Sequence, residues 1–312
     1  MAAKTFRRHD ANYRQSACPH VRNPGSAAVA HGLPLLRTMP PSKWFFCASA
    51  AALLLMFGCN KNQAVRFVIT GSSTCQPVLQ EVTARLEQRD PSVRFQVEAG
   101  GSGRGITDAK TRKAQAGMAS RDLLPAELEG LTVVPFARDG VTIVAHASRN
   151  LAAVTSEQVK AIYTGKLTNW KELGGPDAKI TVVNKAEGRA TLEVFLQKFK
   201  LKNSEIKADV VVGDNAQCVR LVTGDEHAIG YLSIGEALRA VERKEPLRLL
   251  DLDGVAATLE NVRDGSFPLG RSLYLLFPGQ ADAEGQRIVD FLASPEGSEL
   301  LYAQGFVPLS GT

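Results

Sequence analysis

The stretch that decides the fold is "VRFQVEAGGSGRGITDAK", residues Val93 to Lys110. Apolar side chains alternate at Val93, Phe95 and Val97, which is the spacing of a half-buried β-strand. Four of the six residues from 100 to 105 are glycine, and a helical pattern follows at once. A strand that runs through a glycine-rich turn into a helix is typical of α/β sheets, which bind ligands at the carboxyl ends of their strands. The stretch therefore predicts an α/β fold, and this turn is a candidate ligand site.

The same order of elements continues on both sides of this stretch. "VRFVITG" at 65–71 and "AGMAS" at 116–120 read as strands, and "QPVLQEVTARLEQR" at 76–89 has apolar residues at helical spacing. Strand, helix, strand, helix, strand predicts a parallel sheet. Further strands and helices follow without a change of composition, so we expect two interleaved lobes and not two successive domains.

The first 59 residues differ from the rest. Residues 1–38 lack periodicity and precede Met39, so they are predicted to be an unstructured extension or a mis-called start. Residues 39–59 are predicted to be a signal peptide, because the apolar run from Trp44 to Phe57 is too short to span a bilayer comfortably. The run ends in Gly58 and Cys59, which resembles a bacterial lipobox. We expect lipid attachment at Cys59, with ordinary cleavage or an uncleaved anchor as the alternatives.

Charge and cysteine content exclude several classes of protein. The formal net charge is +5, but residues 1–58 hold seven Lys or Arg and one Asp, a charge of +6 that leaves −1 for the remainder. The basic character therefore gives no reason to expect nucleic-acid binding. Beyond Cys59 only Cys75 and Cys218 remain, 143 positions apart, and we expect two free thiols and no disulfide framework. No metal-ligand spacing occurs, so we expect no metal and no cofactor.

Glycine and hydroxyl residues gather in four strand-to-helix turns. A helix N-terminus leaves backbone N–H groups unpaired and carries about half a positive charge, so it can bind an anion. Arg121 and Arg189 could add charge-assisted hydrogen bonds to an oxyanion. Each turn alone could be an ordinary helix cap, but four at the same sheet edge favour an anion site. The turns are Thr70–Thr74, Gly100–Gly105, Ala119–Asp122 and Glu187–Thr191.

Nucleotide and acyl-transfer motifs are absent from these turns. A dinucleotide fingerprint needs glycine at position 106, where the chain has Ile106, and no P-loop Gly-Lys-Ser/Thr occurs. A hydrolase elbow around Ser102 needs glycine at position 104, where the chain has Arg104. The chain after residue 59 also lacks a plausible His–carboxylate pair. We therefore predict a binding protein and not an enzyme.

Eight segments resemble, in order, the periplasmic phosphate-binding protein family, the substrate-binding component of ABC-type phosphate transport. They span about residues 65 to 309, and "IYTGKLTNW" at 162–170 is the most specific of them. The segments are "TGSSTCQPVLQ", "GGSGRGI", "GMASRDL", "ARDGVTIVAHAS", "IYTGKLTNWKELGG", "EGRATLEVF", "AIGYLS" and "GFVPL".

The resemblance implies a two-lobed periplasmic binding protein of the type II kind, with hinge crossovers and a ligand cleft between the lobes. Lobe I would be residues 65–144 plus 232–312, and lobe II residues 145–231. The implied function is capture of inorganic phosphate in the periplasm for an ABC-type phosphate permease, by a lipid-anchored monomer. Another oxyanion, or an envelope protein of the same fold with a sensing or adhesion role, is the alternative.

The resemblance also implies a set of phosphate ligands. Many members have Gly-Ser-Gly-Thr before the second-lobe helix, whereas this chain has Gly188-Arg189-Ala190-Thr191, a departure that bears on ligand identity. The implied ligands are Ser72, Ser73, Thr74, Ser102, Gly103, Ser120, Arg121, Asp139, Arg189 and Thr191.

Asp139 is a carboxylate in a predicted anion site. A buried carboxylate can accept the proton that phosphate keeps near neutral pH, and it would leave a lone pair facing sulfate, which has no proton. We therefore expect Asp139 to favour phosphate over sulfate. A solvent-facing Asp-Gly turn is the alternative, and the same argument could be made for Asp122.

Overall fold

A computed structural model describes residues 65–309. The predicted extension at 1–38, the signal peptide at 39–59 and the lipidation site Cys59 lie outside the described residues. Within 65–309, no helix has the length and apolar content that crossing a membrane requires.

The described part of the chain contains strands and helices that mostly alternate along the sequence. The strands are β1 (Val65–Gly71), β2 (Val93–Ala99), β3 (Ala116–Ala119), β4 (Leu131–His146), β5 (Ala153–Val154), β6 (Thr181–Lys185), β7 (Val210–Val212), β8 (Ala228–Ser233), β9 (Leu247–Leu252), β10 (Gly270–Pro278) and β11 (Val307–Pro308). The α-helices are α1 (Gln76–Arg89), α2 (Ser102–Lys110), α3 (Pro125–Leu128), α4 (Ser156–Tyr163), α5 (Ala190–Phe199), α6 (Asn215–Gly224), α7 (Ile234–Glu242), α8 (Leu259–Arg263), α9 (Ala283–Ala293) and α10 (Pro295–Ala303). Two short 3₁₀ helices cover Trp170–Leu173 and Asn203–Glu205.

Local sequence signals explain several helix starts. The Thr155 hydroxyl accepts a hydrogen bond from the Gln158 backbone N–H, and the Gln158 side chain accepts one from the Thr155 backbone, so the predicted capping box opens α4. Pro295 opens α10, where its missing N–H costs nothing. These helices therefore begin where the sequence predicts.

Strand pairing confirms the α/β prediction and makes the sheet mixed. The path is β2-β1-β3-β10-β4-β8-β6-β7, and β1 pairs in parallel with both β2 and β3, as predicted. Strand β10 pairs antiparallel with both β3 and β4. Further along the sheet, β6 pairs in parallel with β7 and β8. Because β1, β2, β3, β6 and β7 each lead towards a helix start, the turns after them can face a common site.

The 16-residue strand β4 joins the two halves of the molecule. Its first part, residues 131–140, pairs with β10, and its second part, residues 141–146, pairs with β8 and β9. One hydrophobic cluster forms around β1, β3 and β10 and includes Phe67, Leu79 and Phe277. A second cluster, including Tyr163 and Phe195, forms around the second part of β4. The fold is thus the two-lobed α/β arrangement that the sequence predicts.

The segment between residues 234 and 269 packs with the second lobe. Leu250, Val262 and Leu269 belong to the same cluster as Phe195, because β9 takes an edge of β4 and the apolar faces of α7 and α8 cover that cluster. The Val141 N–H also donates to the Leu269 carbonyl at 3.0 Å, so the two crossovers lie side by side. The lobe bounds stay a prediction, and this packing shows that residues between 234 and 269 share a hydrophobic core with Phe195 of the predicted second lobe.

Candidate functional site

The turns after β1, β2, β3, β6 and β7 border one cavity. The N-termini of four helices, α1, α2, α5 and α6, meet there, and the cavity volume is about 240 Å³, including space open to solvent. The turn residues of both lobes therefore converge on a single place. The lining residues are Ser72, Ser73, Thr74, Gly101, Ser102, Ser120, Lys185, Arg189, Ala190, Thr191, Gly213, Asp214 and Asn215.

Three buried serines form a hydrogen-bonded network on the first-lobe side. The Ser72 hydroxyl accepts from the Thr74 backbone N–H at 3.1 Å and donates to Ser120 Oγ at 2.8 Å. The Ser120 backbone N–H in turn donates to Ser102 Oγ at 3.0 Å. A hydroxyl has one proton, so Ser102 and Ser120, whose oxygens accept from the protein, can both donate to a ligand.

Two threonines complete this set of donors. Thr74 Oγ1 accepts from Asn215 Nδ2 at 3.3 Å and from Arg271 Nη2 at 3.1 Å. Thr191 Oγ1 accepts from Arg271 Nη1 at 3.2 Å. Because guanidinium and amide N–H groups cannot accept, each threonine proton is also free to point at a ligand oxygen.

The starts of α2 and α5 add backbone donors. Gly101 precedes α2 and Arg189 precedes α5, and neither residue caps its helix with a side-chain hydrogen bond. Gly101 has φ +95°, and a Cβ on it would overlap the Gly188 carbonyl oxygen, so only glycine lets the two loops approach this closely. Uncapped helix N-termini in a cavity are anion sites.

Two cations and one carboxylate border the cavity. Lys185, at the end of β6, is 2 % exposed, and its Nζ donates to the Asp214 carbonyl at 2.7 Å. Burial lowers the pKa of the Lys185 ammonium, since desolvation disfavours its charge. Arg189 is the second cation, and Asp214, whose carboxylate caps α6 through the Gln217 N–H, is the carboxylate. The excess of positive charge and N–H donors favours an anionic ligand.

A buried ion pair lies directly behind the hydroxyl donors. Arg271 donates to Asp139 Oδ2 from Nη2 at 2.7 Å and from Nε at 3.0 Å, and the Ser233 hydroxyl donates to Asp139 Oδ1 at 3.0 Å. The Arg271 side chain is 1 % exposed and the Asp139 side chain is 0 % exposed. Since Arg271 also reaches Thr74 and Thr191, one guanidinium connects the first lobe to the start of α5.

Seven of the ten predicted ligands line the cavity. They are Ser72, Ser73, Thr74, Ser102, Ser120, Arg189 and Thr191. The other three do not line it. Gly103 lies inside α2, one residue past the lining residue Ser102. Asp139 is occupied by Arg271 and Ser233, as described above.

Arg121 points to carboxylates and not to the cavity. Its Nη1 and Nη2 donate to the two carboxylate oxygens of Glu127 at 2.7 and 2.9 Å, and its Nε contacts Glu193 of α5. The Glu127 hydrogen bonds raise the pKa of Arg121 and keep it charged. The alternative acceptor Asp122 takes a hydrogen bond from the Tyr274 hydroxyl at 3.0 Å and does not line the cavity.

Sequence reasoning missed a fifth turn, one arginine and one lysine. Gly213-Asp214-Asn215 follows β7 and opens α6, and its glycine and capping aspartate are the same signal as in the other turns. Arg271 and Lys185 are charged residues in strands that also contain apolar runs, and their charge is the available signal for both.

Cys75 and Cys218, the two cysteines among residues 65–309, are buried and free, as predicted. Burial raises the pKa of Cys75 to about 12 and also raises the pKa of Cys218. Both groups therefore remain neutral thiols near pH 7 and are poor nucleophiles. Within residues 65–309, no three His, Cys, Asp or Glu side chains come together in a way that could hold a metal ion.

Comparison with known proteins identifies the family of this arrangement. The PBP superfamily domain matches residues 60–296. The chain is 29% identical to the phosphate-binding protein PstS of Bacillus subtilis over 78% of this chain and 80% of that protein, and 27% identical to PstS of Borreliella burgdorferi over 81% and 94%. Both relatives are named for binding, in agreement with the prediction that the chain is not an enzyme.

Solved structures give the same result. A phosphate ABC transporter substrate-binding protein from Clostridium perfringens, solved with bound phosphate, is 32% identical with a TM-score of 0.73, covering 78% of this chain and 100% of that one. An ABC-type phosphate transport receptor from Vibrio cholerae is 26% identical with a TM-score of 0.64, covering 77% and 99%. The chain therefore belongs to the periplasmic-binding-protein superfamily, and within it to the substrate-binding proteins of ABC-type phosphate transport.

Proposed function

We propose that the chain binds inorganic phosphate in the cavity between its lobes and delivers it to an ABC-type phosphate permease. The observation that carries this proposal is the convergence of four hydroxyl donors, two uncapped helix N-termini and two cations on one cavity. The site of action is outside the cytoplasm of a bacterium, with Cys59 as the proposed point of lipid attachment. The relatives that are named for phosphate binding or phosphate transport support this ligand.

The donors suit a tetrahedral anion that has lost its water. Thr74, Ser102, Ser120 and Thr191 each have a proton free for a ligand oxygen, and they come from different elements. Fixed donors in a dry site replace the hydration shell of the ion without reorganisation, and charged partners strengthen each hydrogen bond. Lys185 and Arg189 supply the compensating charge.

Selection of phosphate over sulfate requires an acceptor for the phosphate proton. Asp139 was expected to act as that acceptor, but both its oxygens are engaged behind the cavity. Asp214 is the carboxylate among the lining residues, and its Oδ1 accepts only the Gln217 N–H. We propose that Asp214 accepts the phosphate proton and disfavours sulfate, which would place an unprotonated oxygen against it.

Isothermal titration of the full chain with phosphate and with sulfate tests the proposal. We expect saturable phosphate binding and much weaker sulfate binding. Preferential binding of sulfate would indicate another oxyanion as the ligand, and absence of binding for both ions would favour a sensing or adhesion role. Arg220→Met serves as the control for loss of a positive charge. Arg220 is an exposed cation on α6 away from the cavity lining, so this variant should keep the phosphate affinity of the unsubstituted chain.

A further inference from the structure

A second cavity lies at the end of the second-lobe sheet that is opposite to the cleft. The register of β4, β8 and β6 brings Ala145 beside Ile229, and Thr181 beside Ala228, whereas Ser233 and Lys185 lie at the cleft end. The cavity, of about 580 Å³ including space open to solvent, is lined by the chain just after β4 and by residues Trp170–Pro176. The segment "IYTGKLTNWKELGG", which has no part in the cleft lining, supplies one of its walls.

The cavity contains a buried guanidinium with unused donors. Arg149 is 7 % exposed, and its Nη2 donates to Glu226 Oε2 at 2.7 Å. Its Nε and Nη1 find no acceptor among residues 65–309. Buried donors without acceptors are costly, and a buried charged side chain with two of them calls for an acceptor from outside the chain.

The other walls indicate what kind of molecule would supply that acceptor. Leu151, Leu173 and Pro176 offer apolar surface beside the guanidinium. The Glu226 carboxylate lies close enough to repel a dianion, but its side chain is 56 % exposed and can turn out to solvent. We propose that this cavity is a second binding site, for a small organic monocarboxylate that takes the place of Glu226 on Arg149 and packs its apolar part against Leu151 and Leu173.

Tryptophan fluorescence can test this site on the full chain. The chain has two tryptophans, Trp44 and Trp170, so Trp44→Phe leaves Trp170, in the wall of the cavity, as the reporter. Titration with butyrate should change the fluorescence saturably, and uncharged butyramide should bind at least about tenfold more weakly. Saturating phosphate should not alter the butyrate affinity, since the cleft lies at the other end of the sheet.

Two variants make the result specific to Arg149. Arg149→Met should abolish the butyrate response, and Arg220→Met, the exposed control with the same loss of charge, should retain it. Glu226→Gln removes the competing carboxylate and keeps Arg149, so butyrate should bind more tightly even if Arg149→Met does not fold. A response that is absent for butyrate, that persists in Arg149→Met, or that is unchanged in Glu226→Gln would overturn the proposal.

Discussion

Each hydroxyl at the cleft cavity has one proton to donate, and the donors of the protein decide where that proton points. Ser72 gives its proton to Ser120, while Ser102, Ser120 and Thr74 accept from the protein and keep theirs. Such an arrangement fixes both the position and the polarity of the donors before any ligand arrives, which reduces the cost of binding.

Separate substitutions of the two candidate proton acceptors, Asp214 and Asp139, distinguish their roles. Asp214→Asn should reduce the preference for phosphate over sulfate, because the amide can donate to sulfate, while Asn still caps α6. Asp139→Asn should weaken the binding of both ions in the same proportion, because it acts through Arg271. Titration calorimetry with both ions measures the ratio of the phosphate affinity to the sulfate affinity. If this ratio changes in Asp139→Asn and not in Asp214→Asn, Asp139 and not Asp214 accepts the phosphate proton.

The buried pair gives a prediction about stability. Arg271→Met leaves the Asp139 carboxylate buried without its partner, and we expect a loss of about 3–5 kcal/mol in the free energy of unfolding. The double variant Asp139→Asn/Arg271→Met, which leaves no buried charge, should recover part of that loss. Urea denaturation measures the free energy of unfolding of both variants and of the unsubstituted chain, and a double variant less stable than Arg271→Met would contradict this account.

At the scale of elements, the approach of the two glycine loops depends on Gly101. An Ala Cβ there would overlap the Gly188 carbonyl oxygen, and φ +95° adds strain of about 1–3 kcal/mol. Gly101→Ala should therefore weaken phosphate binding by at least about tenfold. Gly103→Ala is the matched control, since its Cβ would lie 3.9 Å from the same oxygen at ordinary contact distance. Calorimetry that finds equal affinities in the two variants would exclude this role for Gly101.

The turns of the site could be predicted from sequence to the extent that their signal is local. Glycine and hydroxyl residues between a strand and a helix mark the turns around Ser72, Ser102 and Thr191, and the same signal at Gly213 was available. The contact of Arg121 with Glu193 could not be predicted, because Glu193 lies on α5, 72 positions further along the chain. Arg271 was missed for the same reason, since its contacts with Thr74 and Thr191 arise only when the lobes come together.

At the scale of the whole molecule, the protonation of Lys185 affects both the free energy of unfolding and the affinity for phosphate. Its pKa in the folded protein is lower than its ordinary value of 10.5 because burial disfavours the charge. Between the lowered pKa and 10.5 the unfolded chain holds more protons, so the free energy of unfolding of the empty protein should rise with pH. A bound anion restores the charge, so phosphate affinity should fall as pH rises through the lowered pKa.

Calorimetry in buffers of different ionisation enthalpy measures the predicted proton uptake. Lys185→Met should abolish the uptake in this pH range, and Lys160→Met, on α4 and outside the cavity lining, should keep it. Uptake that is the same in Lys185→Met would assign the proton to another group.

The side-by-side crossovers at residues 140–141 and 269–270 have a consequence for the circular dichroism and the radius of gyration of the protein. β4 changes partners there, from β10 to β8, so a rotation about this point leaves the ladder bonds of each half intact. Emptying and filling the cleft should then tilt two preformed blocks without melting a helix or a strand. The far-ultraviolet circular dichroism of the protein should stay the same while its radius of gyration shrinks on adding phosphate.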